Sequence, residues 1–286
     1  MKFSIDLDLP DDLKEECIEI TGLEYVSEPD QAEAVIFRRD PGKWRNARIF
    51  QSMSAGNDRF FPEMFPKGSV LLSNAGGYNE PVAETVFALI LSHLKEICKH
   101  NEEFHRKKFT RLEVSILYGK TIGILGYGGI GKKVGVIANS MDMHVLAYSR
   151  SRKSDHVTEF AESPDDLMRG SDIVVISVPL TSETRSMVNR KLLDQFRGNI
   201  IVNVARGDIV KKEDMLSYLR ENPDKFYLTD VWWNEPVIAD DVPDNCIATP
   251  HIAGMGSEFE PVYLKRAATS LRNYLDGSLE HVVFRT

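Results

Sequence analysis

Short β-branched runs alternate with helix-length segments from one end of the chain to the other, the pattern of parallel strands joined by helical crossovers. In the first part the runs KFSIDL, AVIFR, RIFQSM and VLLSN read as strands, separated by polar or helical stretches. From Asn79 to about Lys107, the residues Val82, Val86, Leu89, Ile90, Leu94 and Ile97 recur at helical spacing, with Pro81 tolerated in the first turn. A single long helix is expected there, long enough to cross from one domain to another. A second strand series opens after Lys120 with TIGIL, HVLAY, DIVVISV, NIIVNV, FYLTDVW and NCIAT. Near-continuous apolar strands imply burial on both faces, and six of them complete a doubly wound sheet. The stretch from Ser257 to Leu275 reads as a helix with Ser257 as N-cap, Glu260 three residues on and Gly277 past its end. It follows the sixth strand, so it is expected to return to the first domain and close a two-lobed protein around a cleft.

Composition narrows the classes. A chain of 286 residues with 42% apolar content suits one large or two ordinary domains. The net charge is -8 and no long Lys/Arg block stands out, which argues against a nucleic-acid partner. The start, MKFSIDLDLPDD, lacks the apolar core of a signal peptide, and nowhere do roughly 18 uncharged apolar residues run together. No membrane association and a cytoplasmic location are therefore expected. Cys17, Cys98 and Cys246 stand far apart and in no metal-binding cluster, so buried thiols are expected, with no metal and no disulfide framework.

Candidate chemistry begins at GILGYGGIG. Gly126, Gly128 and Gly131 have GxGxxG spacing directly after the strand TIGIL and before a helical pattern. Gly126 permits a tight turn, Gly128 lets backbone approach a pyrophosphate, and Gly131 lets helix and strand pack closely. The helix N-terminus supplies unpaired N–H groups and partial positive charge to the phosphates. The second strand should end in a carboxylate that accepts from ribose hydroxyls. The chain reads LAYSRSRK there, and Ser149 stands 23 residues beyond Gly126. A carboxylate would repel a 2′-phosphate, whereas Ser149 can donate to one and the Arg150 guanidinium can clamp it. Arg152 and Lys153 add positive potential, so NADPH is expected in preference to NADH, with NAD still possible.

NVARGDIV, DVWWNEP and ATPHIAG follow strands of the second series, where side chains point toward the ligand crevice of a parallel sheet. Reduction of a 2-oxo acid needs a cation for the carboxylate, a proton for the carbonyl oxygen and a hydride at its carbon. Arg206 suits the first role and His251 the second, while Glu235 would fix the imidazole tautomer. Asp230 could accept from the nicotinamide carboxamide.

With LYGKTIGILGYGGIG, SDIVVISVPLTSET, NIIVNVARGDIV, DVWWNEP and TPHIAG in this order, the chain resembles the D-isomer-specific 2-hydroxyacid dehydrogenase family. The resemblance spans about residues 45 to 270. It implies Arg206, Glu235 and His251 as the catalytic set. It also implies cofactor contacts at Tyr127, Gly129 and Ile130 in the loop, at Pro179 and Thr184, at Val204 and Ala205, and at Gly254. Substrate contacts would come from the Ala55 and Gly56 N–H groups in SMSAGND, from Gly77 in NAGGYN, and from Arg206. Asn57, where the family often has an apolar residue, and NAGG, in place of a more usual Pro-Gly pair, are departures. The implied fold is α/β with two Rossmann-like lobes. A doubly wound parallel-sheet dinucleotide domain (96–255) is inserted in a smaller, flavodoxin-like substrate domain (1–95 and 256–286).

The implied activity is NAD(P)H-dependent reduction of a small 2-oxo acid, of glyoxylate or hydroxypyruvate type, to the D-2-hydroxy acid by a homodimer. The alternatives are a formate- or phosphite-type anion dehydrogenase, and a cofactor-sensing protein related to corepressors. Formate dehydrogenases of the family carry Gln where Glu235 stands, and no added docking segment is visible.

Overall fold

The computed structural model describes residues 1–150, 156–239 and 241–286. They form two compact units, one of Met1–Tyr78 with Met255–Thr286, the other of Asn79–Gly254. The first unit begins β1 (Lys2–Ile5), α1 (Asp11–Thr21), β2 (Glu24–Tyr25), β3 (Ala34–Phe37), β4 (Ile49–Ser52) and β5 (Val70–Leu72). The second opens with α2 (Asn79–Leu94), α3 (Ile97–His105), β6 (Thr121–Leu125), α4 (Gly129–Ser140), β7 (His144–Tyr148) and β8 (Glu159–Phe160). It continues with α5 (Pro164–Gly170), β9 (Ile173–Ile176), α6 (Arg190–Leu193), β10 (Ile200–Asn203), α7 (Lys212–Glu221), β11 (Phe226–Thr229) and β12 (Cys246–Ala248). The chain returns to the first unit with α8 (Glu260–Leu275) and β13 (Val282–Arg285). Among the described residues no helix is long and apolar enough to cross a membrane.

In the first unit the parallel strands take the flavodoxin-like order β2-β1-β3-β4-β5, and β13 adds antiparallel to β5. Four-residue spacing puts Leu13, Cys17 and Thr21 on one buried face of α1. That face shares a core with Leu264, Ala267, Ala268 and Leu271 of α8 and with Phe3 and Ile36 of the sheet. Small Ala267 and Ala268 let the two helices approach. Burial pushes the Cys17 thiol up to about 11, as the expectation of an inert buried residue requires. Cys98, by contrast, is exposed.

The second sheet runs β12-β11-β10-β9-β6-β7-β8, the doubly wound order with one strand added beyond its sixth position. Successive residues of its central strands face opposite sides. Val174, Ile176 and Ile201 join a cluster with Leu167, Leu192, Leu193 and Leu219 of α5, α6 and α7. Their neighbours Ile173, Val175, Ile200 and Val202 are equally buried on the other side. Two covered faces explain why these strands carry no polar alternation.

Three boundaries differ from the sequence pattern. The expected single helix is two, because Lys95 and Glu96 leave the helix and Glu96 adopts φ 49°. Past this break the apolar residues Ile97 and Phe104 are exposed, so the inward stripe of α2 is not continued. The changeover between units falls at Tyr78–Asn79 and not at residues 95–96, since α2 packs on α4, β10 and β11 of the second unit. The last long helix starts at Glu260 behind a 3-10 turn, Ser257–Phe259. The Ser257 side chain, assigned there as a cap, lies outside the described residues.

A Cβ placed on Gly131 would lie 2.3 Å from the Gly126 carbonyl oxygen. Gly131→Ala is therefore expected to destabilise the protein by about 1–3 kcal/mol. A thermal melt unchanged from wild type would contradict this packing.

Candidate active site

Contacts within the protein fix the glycine loop. Gly126 leaves β6 at φ +100°, and its N–H donates to the Tyr148 carbonyl at 2.9 Å. Ser177 Oγ donates to the Gly126 carbonyl at 2.7 Å, which pins the turn between the ends of β7 and β9. A Cβ on Gly126 would lie 2.7 Å from Val178 N, and one on Gly129 would lie 2.5 Å from the Asn79 amide. Backbone packing requires glycine at 126, whereas at 129 the neighbour is the end of a side chain. A Cβ on Gly128 would meet nothing within 4 Å, so that face is open. It lies over the first turn of α4, where backbone N–H groups have no intrahelical acceptor. An open backbone face over a helix N-terminus fits a dinucleotide pyrophosphate. Tyr127 points inward, buried with its ring 6.2 Å from that of Phe160, which leaves only its backbone for a cofactor. Ile130 is half-buried in the first turn.

Ser149 and Arg150 directly follow β7. Arg150 Nη1 lies 3.6 Å from Glu183 Oε2, with both side chains largely exposed (85% and 77%). A pair this wet is worth about 0–1 kcal/mol and can open for a ligand. Arg152 and Lys153 lie outside the described residues. Thr184 Oγ1 donates to the Pro179 carbonyl at 2.6 Å and accepts from Thr181 N at 2.8 Å, so it closes the loop after β9.

The three loops after β10, β11 and β12 converge within the second unit. Buried Asn203 accepts from Ala205 N at 3.0 Å and donates to the Arg206 carbonyl at 3.0 Å. It thereby folds the Val204–Arg206 turn. A Cβ on Gly207 would sit 2.5 Å from the Trp232 carbonyl oxygen, so glycine lets the Arg206 and Trp232 loops touch. Trp232 N–H donates to Glu235 Oε1 at 2.7 Å, and His251 Nδ1 lies 2.7 Å from Glu235 Oε2. Glu235 and His251 are thus brought together as the sequence suggests. Arg206 Nη1 donates to the Ala205 carbonyl at 2.7 Å.

Asp230 is engaged by the protein itself. Its side chain is only 1% exposed. Oδ1 accepts from Thr249 Oγ1 at 2.6 Å and Ile252 N at 2.8 Å, while Oδ2 accepts from Ala253 N at 2.7 Å. The carboxylate holds the loop that carries His251 and Gly254. His251 has φ 55°, a left-handed conformation that a residue with a Cβ rarely adopts, and its N–H donates to the Asp230 carbonyl at 2.9 Å.

In the first unit, the loop after β4 is shaped by Asn57. Its amide nitrogen donates to the Ser54 and Ala55 carbonyls at 3.3 and 3.2 Å, and Asn74 N–H also donates to Ser54 O. With those carbonyls turned inward, the Ala55 and Gly56 N–H groups have no acceptor among the described residues. Arg59 Nη2 donates to Ser54 Oγ at 3.3 Å and to the Arg38 carbonyl at 2.6 Å. Tyr78 donates to the Met53 carbonyl at 2.6 Å, and burial pushes its hydroxyl up to about 12 against the pull of Arg38 and Arg59. Gly77 is bonded on both sides of its peptide. Its N–H donates to Asn74 O and its carbonyl accepts from Arg266.

The glycine loop, the strand order and the open helix N-terminus define a dinucleotide-binding α/β protein. Residues 87–253 match the family described as D-isomer specific 2-hydroxyacid dehydrogenase, NAD binding domain. A glyoxylate reductase of Pyrococcus furiosus is 29% identical over 280 residues, covering 90% of this chain and 82% of that protein. Another, from Thermococcus kodakarensis, is 39% identical over 224 residues, covering 72% and 66%. The crystal structure of a glycerate dehydrogenase related protein from Thermoplasma acidophilum superposes with TM-score 0.76 at 40% identity, covering 96% of this chain and 100% of that one. The chain belongs to the D-isomer specific 2-hydroxyacid dehydrogenases, oxidoreductases with a nicotinamide dinucleotide cofactor.

Sequence reasoning passed over Ser177, Asn203 and Thr249, each a small polar residue at the end of a strand. Their signal was faint: one hydrogen-bonding side chain closing an otherwise apolar run. Asp230→Asn would keep one acceptor oxygen and set its N–H₂ against the N–H group of either Ile252 or Ala253. It is expected to cost about 1–3 kcal/mol in urea unfolding and to speed amide exchange at Ile252 and Ala253. Unchanged protection at both amides would remove the assigned role.

Proposed function

We propose that the protein reduces a small 2-oxo acid, of the glyoxylate or hydroxypyruvate type, to the D-2-hydroxy acid, with NADPH preferred to NADH. The observation that carries this reading is the 2.7 Å contact of His251 Nδ1 with a Glu235 carboxylate itself held by Trp232 N–H. With Nδ1–H donated to Glu235, Nε2 is the ring atom that delivers a proton to the carbonyl oxygen. The reduced nicotinamide supplies the hydride. Arg206 holds the substrate carboxylate and polarises the adjacent carbonyl. The unused N–H groups of Ala55 and Gly56 are the further carboxylate donors. A formate-type oxidation has no carbonyl oxygen to protonate, so it would leave the Glu235–His251 pair without a task.

Replacing the imidazole removes general acid catalysis, which is worth about 10²–10⁴-fold. His251→Asn is expected to lose that much kcat while cofactor Kd stays within about threefold. Loss of cofactor binding would point to a structural role instead. For the NADPH preference, Ser149 and Arg150 are the ligands of the 2′-phosphate, with Glu183 as a competitor for Arg150. Arg150→Ala should weaken NADPH by roughly tenfold, the scale of one charge-assisted hydrogen bond, and leave NADH unaffected. Equal weakening of both cofactors would reject that assignment.

Exposed Ile97, Phe104, Phe109 and Ile116, on α3 and the segment after it, are assigned to a contact between two copies of the chain. Phe104→Asp should shift the protein from dimer to monomer in sedimentation. A monomeric wild type would rule the contact out.

A further inference from the structure

We infer that Arg59 forms a second anion subsite beside the Ser54–Asn57 loop, which takes the distal carboxylate of a dianionic 2-oxo acid. This rests on the reading that Ala55 and Gly56 hold the carboxylate next to the reacting carbonyl.

Arg38 and Arg59 stand at this end of the first sheet, and they differ. Arg38 is ion-paired with Glu260 at the start of α8. Arg59 meets only neutral acceptors, the Arg38 carbonyl and Ser54 Oγ, both through Nη2. Among the described residues its Nε and Nη1 hydrogens have no acceptor and no carboxylate lies within ion-pair distance. Its guanidinium also lies over the ring of buried Phe60, with 4.8 Å to the ring centroid. Two hydrogen bonds and an aromatic face therefore hold an exposed cation in one orientation with most of its donors unused. A guanidinium fixed in advance loses less side-chain freedom on binding, and its planar fork matches a carboxylate. The bond to Ser54 Oγ places it on the loop whose Ala55 and Gly56 N–H groups lack acceptors. One anion on the loop backbone and a second on Arg59 describe a short dicarboxylate.

The test compares two substrates of equal chain length, 2-oxosuccinate and 2-oxobutyrate, in NADPH oxidation by the full chain. Wild type should show kcat/KM at least tenfold higher for the diacid. Arg59→Gln should lower the diacid value by about tenfold or more and the monoacid value by less than about threefold, with an unchanged thermal melt. Arg59→Lys should recover part of the preference. Equal loss on both substrates would reduce Arg59 to a loop brace and overturn the proposal, as would a wild type without preference. Calorimetric titration of the NADP-loaded protein with succinate and butyrate separates this idea from the reaction it rests on. Succinate binding lost in Arg59→Gln, in a protein that reduces no 2-oxo acid, keeps the subsite and rejects the reductase reading. Reduction of both acids at equal rates does the reverse.

Discussion

Parallel registration of the strands in the second sheet is the constraint on which the site depends. Asn203 pairs with Thr229, and Thr229 with Ala248, so β10, β11 and β12 end level with one another. Every loop that leaves these ends emerges on the same edge. Side chains far apart in sequence can then be joined by short hydrogen bonds. Glu235 and His251 meet because the strands before them stop together, and a slip of one residue in β12 would turn its inward side chains outward.

Much of this was legible in the chain itself. Both-face burial shows in apolar runs such as DIVVISV, and the glycine spacing announces the turn after β6. Arg206, Glu235 and His251 stand out as one charged or titratable residue per strand end. What stayed hidden is set by tertiary context. The Lys95–Glu96 break carries no proline or glycine, and Glu96 takes a left-handed conformation that its side chain does not favour. β2 and β8 are two residues each, too short for any periodicity to declare. Asp230 is an acid at a strand end; its donors Thr249, Ile252 and Ala253 belong to the loop after β12, and that pairing cannot be read from residue types.

Polar satisfaction, more than apolar packing, gives the loops their shape. Asn203 and Asp230 each bind two or more backbone groups of a single turn, and each bond removes a buried polar group that would otherwise cost about 1–3 kcal/mol. The gain offsets local strain. His251 holds a left-handed backbone, of order 1–3 kcal/mol unfavourable, within a loop tied down by one carboxylate.

The first sheet also shows how its margins are kept from pairing with foreign strands. A bare β5 would expose a row of unsatisfied amides and carbonyls, a template for cross-chain association. Antiparallel β13 covers that side and becomes the edge itself, four residues long with a register irregularity between Val282 and Phe284, and on the far side β2 has only two residues. Resistance to such edge-to-edge association is in this respect a property of the outermost strands of the sheet, Val282–Arg285 and Glu24–Tyr25.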